Sequence, residues 1–477
     1  MYVSRRDFLK SSLGGVAAMA VGGATGALFT APAHAHDMPQ SFNFHITDAL
    51  KGMVTDNPGN PAKCYFWVFK EDNFPADCPG PIILTTFGST ITVTVTNDLT
   101  QPHAFFVPGM IDSGPIAPGQ TWTGSFMVNK AGTFMYYDNL NAPVNRVMGL
   151  HGALIVMPHA PAGPGHKMTP YLNPTPFVQR LFDDLGTAAW WPGLAWEEGD
   201  MDAVNHQVPF RQYVWLMHQA SPVLFAEVGA NAGVYDANLF MDKFLRSPFS
   251  HNRGTGNAEY FTINGQSGHF AHNTPFICPM NRIGEPSVVR ILNAGLWCHS
   301  THIHANHVFV IGVNGAASKN PIWVDTFTSH PMDTYEWVIP YMRPPDIPNT
   351  RGIGRQDPGL TTLAGGKTYP PVEELGLMFP APGERMAQDQ QGNPIDLKVE
   401  MSPLCFPMHD HSEASQTAQG GNYNCGLICG INFTGDRNTP GGVTPFPGMM
   451  SELAHHFHGL QHTEAPTGDP GIAEHGV

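Results

Sequence analysis

The sequence predicts an all-β protein built from two β-sandwich domains, and three observations predict it. Gly and Pro number 51 and 44 of 477 residues while charged residues make up only 13%, a mix that favours short strands joined by many turns. Segments with strand character follow one another closely from about residue 40 to 158, and again from about 206 to 435. With 477 residues and 42% apolar content, the chain can bury two ordinary cores.

The elements follow in order. Residues 1–35 read as an export signal: Ser4-Arg5-Arg6-Asp7-Phe8-Leu9-Lys10 resembles a twin-arginine motif. A Gly/Ala-rich run follows, then a small-x-small cleavage pattern at Ala33-His34-Ala35. The mature chain is expected to begin near His36, outside the cytoplasm (periplasmic or otherwise exported), with no membrane span, since no later run has about 18 continuous apolar residues. The twin-arginine route carries folded proteins, often with a cofactor already inserted.

Residues 36–158 are expected to form the first sandwich, with strands in "SFNFHITDA", "KCYFWVFKE", "PIILTTFGSTITVTVTND", "TWTGSFMVN", "GTFMYYDN" and "HGALIVMP". "STITVTVTN" alternates with period two, as a half-buried strand does, and "APGQ" and "NKAG" supply turns. Residues 159–205, rich in Pro, Gly and acids, read as a linker or covering loop. The second sandwich is placed at 206–435, from "RQYVWLMHQ" to "CGLICGINFTG", with a loop insertion at about 342–396. Each half has a "TVTVTND" or "VVRILNAG" strand, a loop and a late Gly-containing strand, which suggests duplication. Residues 436–477 form a turn-rich tail with His455, His456, His458 and His462, read as a metal-scavenging or simply solvated segment.

The formal net charge of -15 argues against nucleic acid and suits metal cations or cationic partners. Seven cysteines (64, 78, 278, 298, 405, 425, 429) leave at least one thiol over. Export permits disulfides, and Cys64 with Cys78, or Cys405 with Cys425 or Cys429, are the local candidates.

Histidine carries the chemistry. Along a strand, residues i and i+2 share a face, so His302 and His304 in "HSTHIHANH" aim two imidazoles together. A second His-x-His, His409-Asp410-His411, comes about a hundred residues later. On neighbouring strands the two pairs would converge as four nitrogen ligands. An all-nitrogen set without thiolate or carboxylate leans to copper in an exported protein. His299 and His307 flank the first pair as additional ligands or as hydrogen-bond partners of ligands. Asp410, between two ligands, should point to the strand's other face; it is a candidate for catalysis, orienting a histidine or accepting a proton, or else a paired structural acid.

Over most of the mature chain the sequence resembles the multicopper oxidases in a two-domain layout. "CPGPIILTTFGSTITVTVTNDL" resembles that family's opening strand pair, and "APGQTWTGSFMVNKAGTFMYY" its Pro-Gly turn and Gly-Thr-Tyr strand. "HSTHIHANHVFVIG" and "FPMHDHSEASQTAQGG" resemble two of its copper-binding segments. The resemblance implies two cupredoxin-like Greek-key domains and copper as cofactor. It also marks departures. Asp410 stands where the family has the cysteine of its blue type 1 copper, and Ser415 where it has a later type 1 histidine; His299 matches the remaining one. No blue centre is expected there. In the first domain, Phe106-Val107-Pro108-Gly109 and Tyr136-Tyr137-Asp138-Asn139 stand in place of two ligand segments, with His103 and His151 nearby but off register.

The resemblance therefore implies an exported copper protein whose remaining ligands are His302, His304, His409 and His411. Three readings follow: a copper-dependent oxidoreductase acting on a small molecule or metal ion, with dioxygen; a protein of copper storage or delivery; and a copper-free scaffold. The sequence leaves the oligomeric state open; two-domain relatives form trimers with sites at the subunit boundary, and in such a homotrimer a neighbour would supply missing ligands through His103 or His151.

Overall fold

The computed structural model describes residues 40–53, 62–187, 210–246, 257–341 apart from a few single positions, 404–412, 415 and 426–436, with four two-residue strands between 362 and 395. The export signal with His36, most of the 342–396 insertion and the histidines of the tail lie outside the described residues, as do the side chains of Cys405 and Cys425.

The first half holds β1 (Gln40–Met53), β2 (Ala62–Glu71), β3 (Ile83–Thr86), β4 (Thr90–Asn97), β5 (Phe106–Val107), β6 (Ile111–Asp112), β7 (Thr121–Met127), β8 (Gly132–Tyr137) and β9 (His151–Met157). They form two sheets, β2-β1-β4-β7 and β3-β9-β8-β5-β6. The period-two pattern of β4 buries Ile91, Val93 and Val95, which meet Tyr136, Leu154 and Val156 of the opposite sheet in one core.

The second half holds β10 (Arg211–Ala220), β11 (Tyr260–Ile263), β12 (Gln266–Ser267), β13 (Met280–Ile283), β14 (Ser287–Asn293), β15 (His299–Ile303), β16 (Val308–Val313), β17 (Ala316–Val324), β18 (Thr326–Ser329) and β19 (Thr334–Ile339). The short β20 (Thr362–Leu363), β21 (Lys367–Thr368), β22 (Ala387–Gln388) and β23 (Pro394–Ile395) follow, then β24 (Leu404–Asp410) and β25 (Ile428–Asp436). Its main sheets are β12-β11-β10-β14-β19-β16-β17 and β13-β25-β24-β15-β18.

The two halves repeat one plan. β1 runs parallel to β4 and antiparallel to β2, as β10 runs parallel to β14 and antiparallel to β11. β3 is parallel to β9, which pairs with β8 and through it β5; β13, β25, β24 and β15 follow the same sequence of pairings. The molecule thus has two all-β, cupredoxin-like sandwiches with equivalent strands.

Two expectations are corrected. The supposed linker contains the helix Pro176–Thr187, whose Val178, Phe182 and Leu185 pack with Ile311 and Val338 of the second sandwich. Helices Pro222–Gly229 and Ala237–Phe244 lie between β10 and β11, and Phe225, Phe240 and Phe244 pack into the first sandwich's core. Cys64 and Cys78 are buried free thiols, so the local bridge between them is not formed.

Candidate metal centre

β15 alternates buried and half-buried residues, which turns His299, Thr301 and Ile303 inward and His302 outward. His304, just past the strand end, keeps that outward side, and its amide donates to the carbonyl of Pro407 at 3.0 Å. β24 pairs with β15 in a register that sets His302 opposite His409 and Thr301 opposite Asp410. The amide of His411 donates to the carbonyl of Ser300 at 2.9 Å and carries the last imidazole to the same face.

The four rings meet there. Ring centres stand 5.2 Å apart for His302 and His409, 4.9 Å for His302 and His304, 4.6 Å for His302 and His411, and 5.2 Å for His409 and His411. Donor atoms of His302, His304 and His409 all lie within 4.8 Å of one another. His411 is exposed, so the cluster is open on its side.

The outer hydrogen bonds set the tautomers. Nδ1–H of His302 donates to the carbonyl of Asp325 and to Thr326 Oγ1, each at 2.9 Å, leaving the lone pair on Nε2. Nδ1–H of His409 donates to the carbonyl of Asp410 at 3.2 Å, with the same result. Nε2 of His304 and Nε2 of His409 are 3.1 Å apart. Two nitrogens at about 2.0 Å from one ion stand roughly 2.8 Å apart at a right angle and 3.3 Å at a tetrahedral one, so this pair fits a shared ion. Burial, followed by the neighbouring rings, pushes His302 and His304 below the usual histidine range, and takes His409 to about 4. The rings are therefore neutral near pH 7, the state in which imidazole ligates a metal. Imidazole donors without a thiolate suit copper.

The inner face holds a different arrangement. Asp410 is buried and takes hydrogen bonds from His299 Nδ1 and Ser415 Oγ, from the amide of Ser300 at 2.8 Å and from that of Ser412 at 2.9 Å. The Gln219 amide donates to His299 Nε2 at 2.6 Å, so both nitrogens of His299 are engaged. Asp410, His299, Ser415 and the two amides thus form one buried carboxylate network. Asp410 does not reach the four-histidine face; it positions His299 and the turn that leads into His411.

The first sandwich repeats this inner pair but not the outer cluster. His103 Nδ1 donates to Asp138 Oδ2 at 2.7 Å, and the Leu140 amide donates to Asp138 Oδ1 at 2.8 Å, with the spacing of Ser412 from Asp410. On the other face, Phe106 pairs with Tyr137, ring centres 5.3 Å apart, where the second sandwich pairs His302 with His409. His307 is exposed, its ring 5.3 Å from Trp323, and is not among the three residues whose donor atoms lie within 4.8 Å of one another. His103 and His151 are fully buried, so neither is presented to a neighbouring subunit, contrary to that expectation. The orienting groups Asp325, Thr326 and Gln219 carry no sequence signal of their own, because they come from other strands.

Residues 73–161 match the multicopper oxidase family, and residues 3–22 match the twin-arginine translocation pathway signal sequence, which directs the chain to export. L-ascorbate oxidase of Cucumis sativus is 35% identical over 94 residues, covering 17% of this chain and 16% of that protein's length. Among solved structures, a blue copper oxidase from Nitrosomonas europaea is 17% identical with a TM-score of 0.49, over 87% of this chain and 94% of that one. A copper nitrite reductase from the same organism is 14% identical with a TM-score of 0.44, over 83% and 94%. No described helix is long and apolar enough to cross a membrane. Residues 73–161, the part of the first sandwich from just before β3 through β9, thus match the multicopper oxidase family.

Proposed function

We propose that His302, His304, His409 and His411 hold copper, and that the protein is an exported copper-dependent oxidoreductase acting on a small molecule or metal ion, with dioxygen as the electron acceptor. The observation that carries this reading is the convergence of four imidazoles, three of them with donor atoms within 4.8 Å of one another. Bound copper supplies a one-electron couple at this face.

The chain's residues do the rest. The carbonyl of Asp325 and the hydroxyl of Thr326 lock His302 in the tautomer that leaves its lone pair on Nε2. The carbonyl of Asp410 does the same for His409. The exposed side at His411 admits a small substrate. With a carboxylate network in place of a thiolate, the substrate has to meet the histidine face itself. That same network favours the second reading, copper storage or delivery without catalysis.

Protein purified from its export compartment is expected to contain copper, and H302A/H409A to lose a share of it. Copper content unchanged in that variant discards the site. Oxygen uptake with phenols, ferrous, cuprous or manganous ions as reductant identifies an enzyme, and bound copper without uptake identifies a carrier.

A further inference from the structure

Three distant parts of the chain meet at a second cluster. Cys78 precedes β3, His151 opens β9 and His218 lies near the end of β10. Sγ of Cys78 and one ring nitrogen of each histidine all lie within 4.8 Å of one another, and all three residues are buried. The two rings stand 4.5 Å apart.

The backbone around the sulfur is fixed. The Cys78 amide donates to Asp77 Oδ1 at 2.8 Å, its carbonyl accepts from Lys51 Nζ at 3.0 Å, and the Gly80 amide donates to the carbonyl of His151 at 2.8 Å. Gly149 keeps the adjoining wall clear: a Cβ there would lie 2.5 Å from the carbonyl oxygen of Trp67 and 3.2 Å from Cys78 Sγ.

The hydrogen bonds of the rings point to a ligand. Nδ1–H of His151 donates to the carbonyl of Arg146 at 2.8 Å, leaving a lone pair on Nε2. That Nε2 is sealed from solvent and has no hydrogen-bond partner among the described residues. Nε2–H of His218 donates to the carbonyl of Val147 at 2.8 Å, leaving Nδ1 with the lone pair. A ring nitrogen bonded to a backbone carbonyl, which leaves the lone pair on the other nitrogen, is the arrangement of metal-bound histidine. A buried acceptor without a donor otherwise calls for an explanation.

We propose that Cys78, His151 and His218 form a second, buried metal site that holds copper through one thiolate and two imidazole nitrogens. The thiolate with imidazole selects a soft or borderline ion, and three protein donors suit trigonal copper, whereas structural zinc takes four. Binding displaces the Cys78 thiol proton to solvent. The proposal stands apart from the four-histidine reading, since none of its residues is shared.

The test uses the full chain from copper-supplemented cells. H302A/H409A, which leaves the inner residues untouched, is expected to retain copper equimolar with protein, with one sulfur among the copper's neighbours by X-ray absorption. C78S and H218A in that background are expected to lose both. H302A/H409A without metal, with copper bound by nitrogen and oxygen only, or with zinc in place of copper overturns the proposal, whether or not C78S folds. If the parent chain and H302A/H409A have equal copper and the same sulfur signal, the inner site stands and the four-histidine site falls.

Discussion

Asp410 holds four donors at one buried carboxylate, two from side chains and two from backbone amides. Burial pushes its carboxyl up, yet hydrogen bonds, first from His299 and then from Ser412 and Ser415, outweigh that and hold it below the usual carboxylate range. Asp410→Ala strands those donors and is expected to cost about 3 kcal/mol or more in urea unfolding, whereas a loss under about 1 kcal/mol would mean that water satisfies them. Glu71 shows the opposite imbalance. Burial, with Asp72 beside it, raises its carboxyl to about 7, and Oε2 is sealed without a hydrogen-bond partner among the described residues. A carboxyl raised on folding stabilises below its unfolded value, near 4.5, and that contribution is lost as pH rises through about 7. Glu71→Gln should therefore raise the Tm relative to the parent chain at pH 8 more than at pH 5; an equal effect at both would refute the titration. At this scale, strand alternation made the inward direction of Asp410 legible. Gln219 and Ser415 were not legible as its network, because no local pattern ties them to His299.

Register decides whether the histidines meet. A slip of one residue between β15 and β24 would turn His409 inward and Asp410 outward, dispersing the cluster. The equivalent pairing of β5 with β8 delivers Phe106 and Tyr137 instead, so the strand plan alone does not make a metal site. The inner pocket offers a converse test. D410C together with S415H places a thiolate and a second imidazole beside His299, and the copper-loaded variant should absorb intensely in the visible. A spectrum like that of the parent chain would show that Gln219 and the amides of Ser300 and Ser412 keep the pocket fitted to a carboxylate. Most strands were legible from alternation and turn residues. The helices at Pro222–Gly229 and Ala237–Phe244 were not read, the first because "SPVLFAEVG" is apolar on nearly every side and shows no stripe. Their caps were in plain view: Ser221 Oγ accepts from the Leu224 amide at 3.2 Å and Asp236 Oδ1 from the Leu239 amide at 2.8 Å.

Over the whole molecule the two sandwiches are joined by buried polar groups as well as by packing. Arg146 Nη1 of the first reaches the carbonyls of Ala294 and, at 2.9 Å, Gly295 of the second, and burial pushes its guanidinium down to about 10. Arg290 returns the contact to Thr133 Oγ1 at 3.0 Å. The two-domain plan was legible because strand signals and length are additive along the chain. The junction was not, because Cys78, His151 and His218 belong to separate strands or loops and each reads alone as an ordinary core residue. Their complete burial has a consequence for timing. Once the sandwiches close, no ion reaches Cys78 without reopening the joint, so occupancy is decided while the chain folds. A chain that folds before it crosses the membrane meets its inner ion in the cytoplasm, under cytoplasmic metal supply, while the exposed cluster at His411 stays open to exchange at the destination.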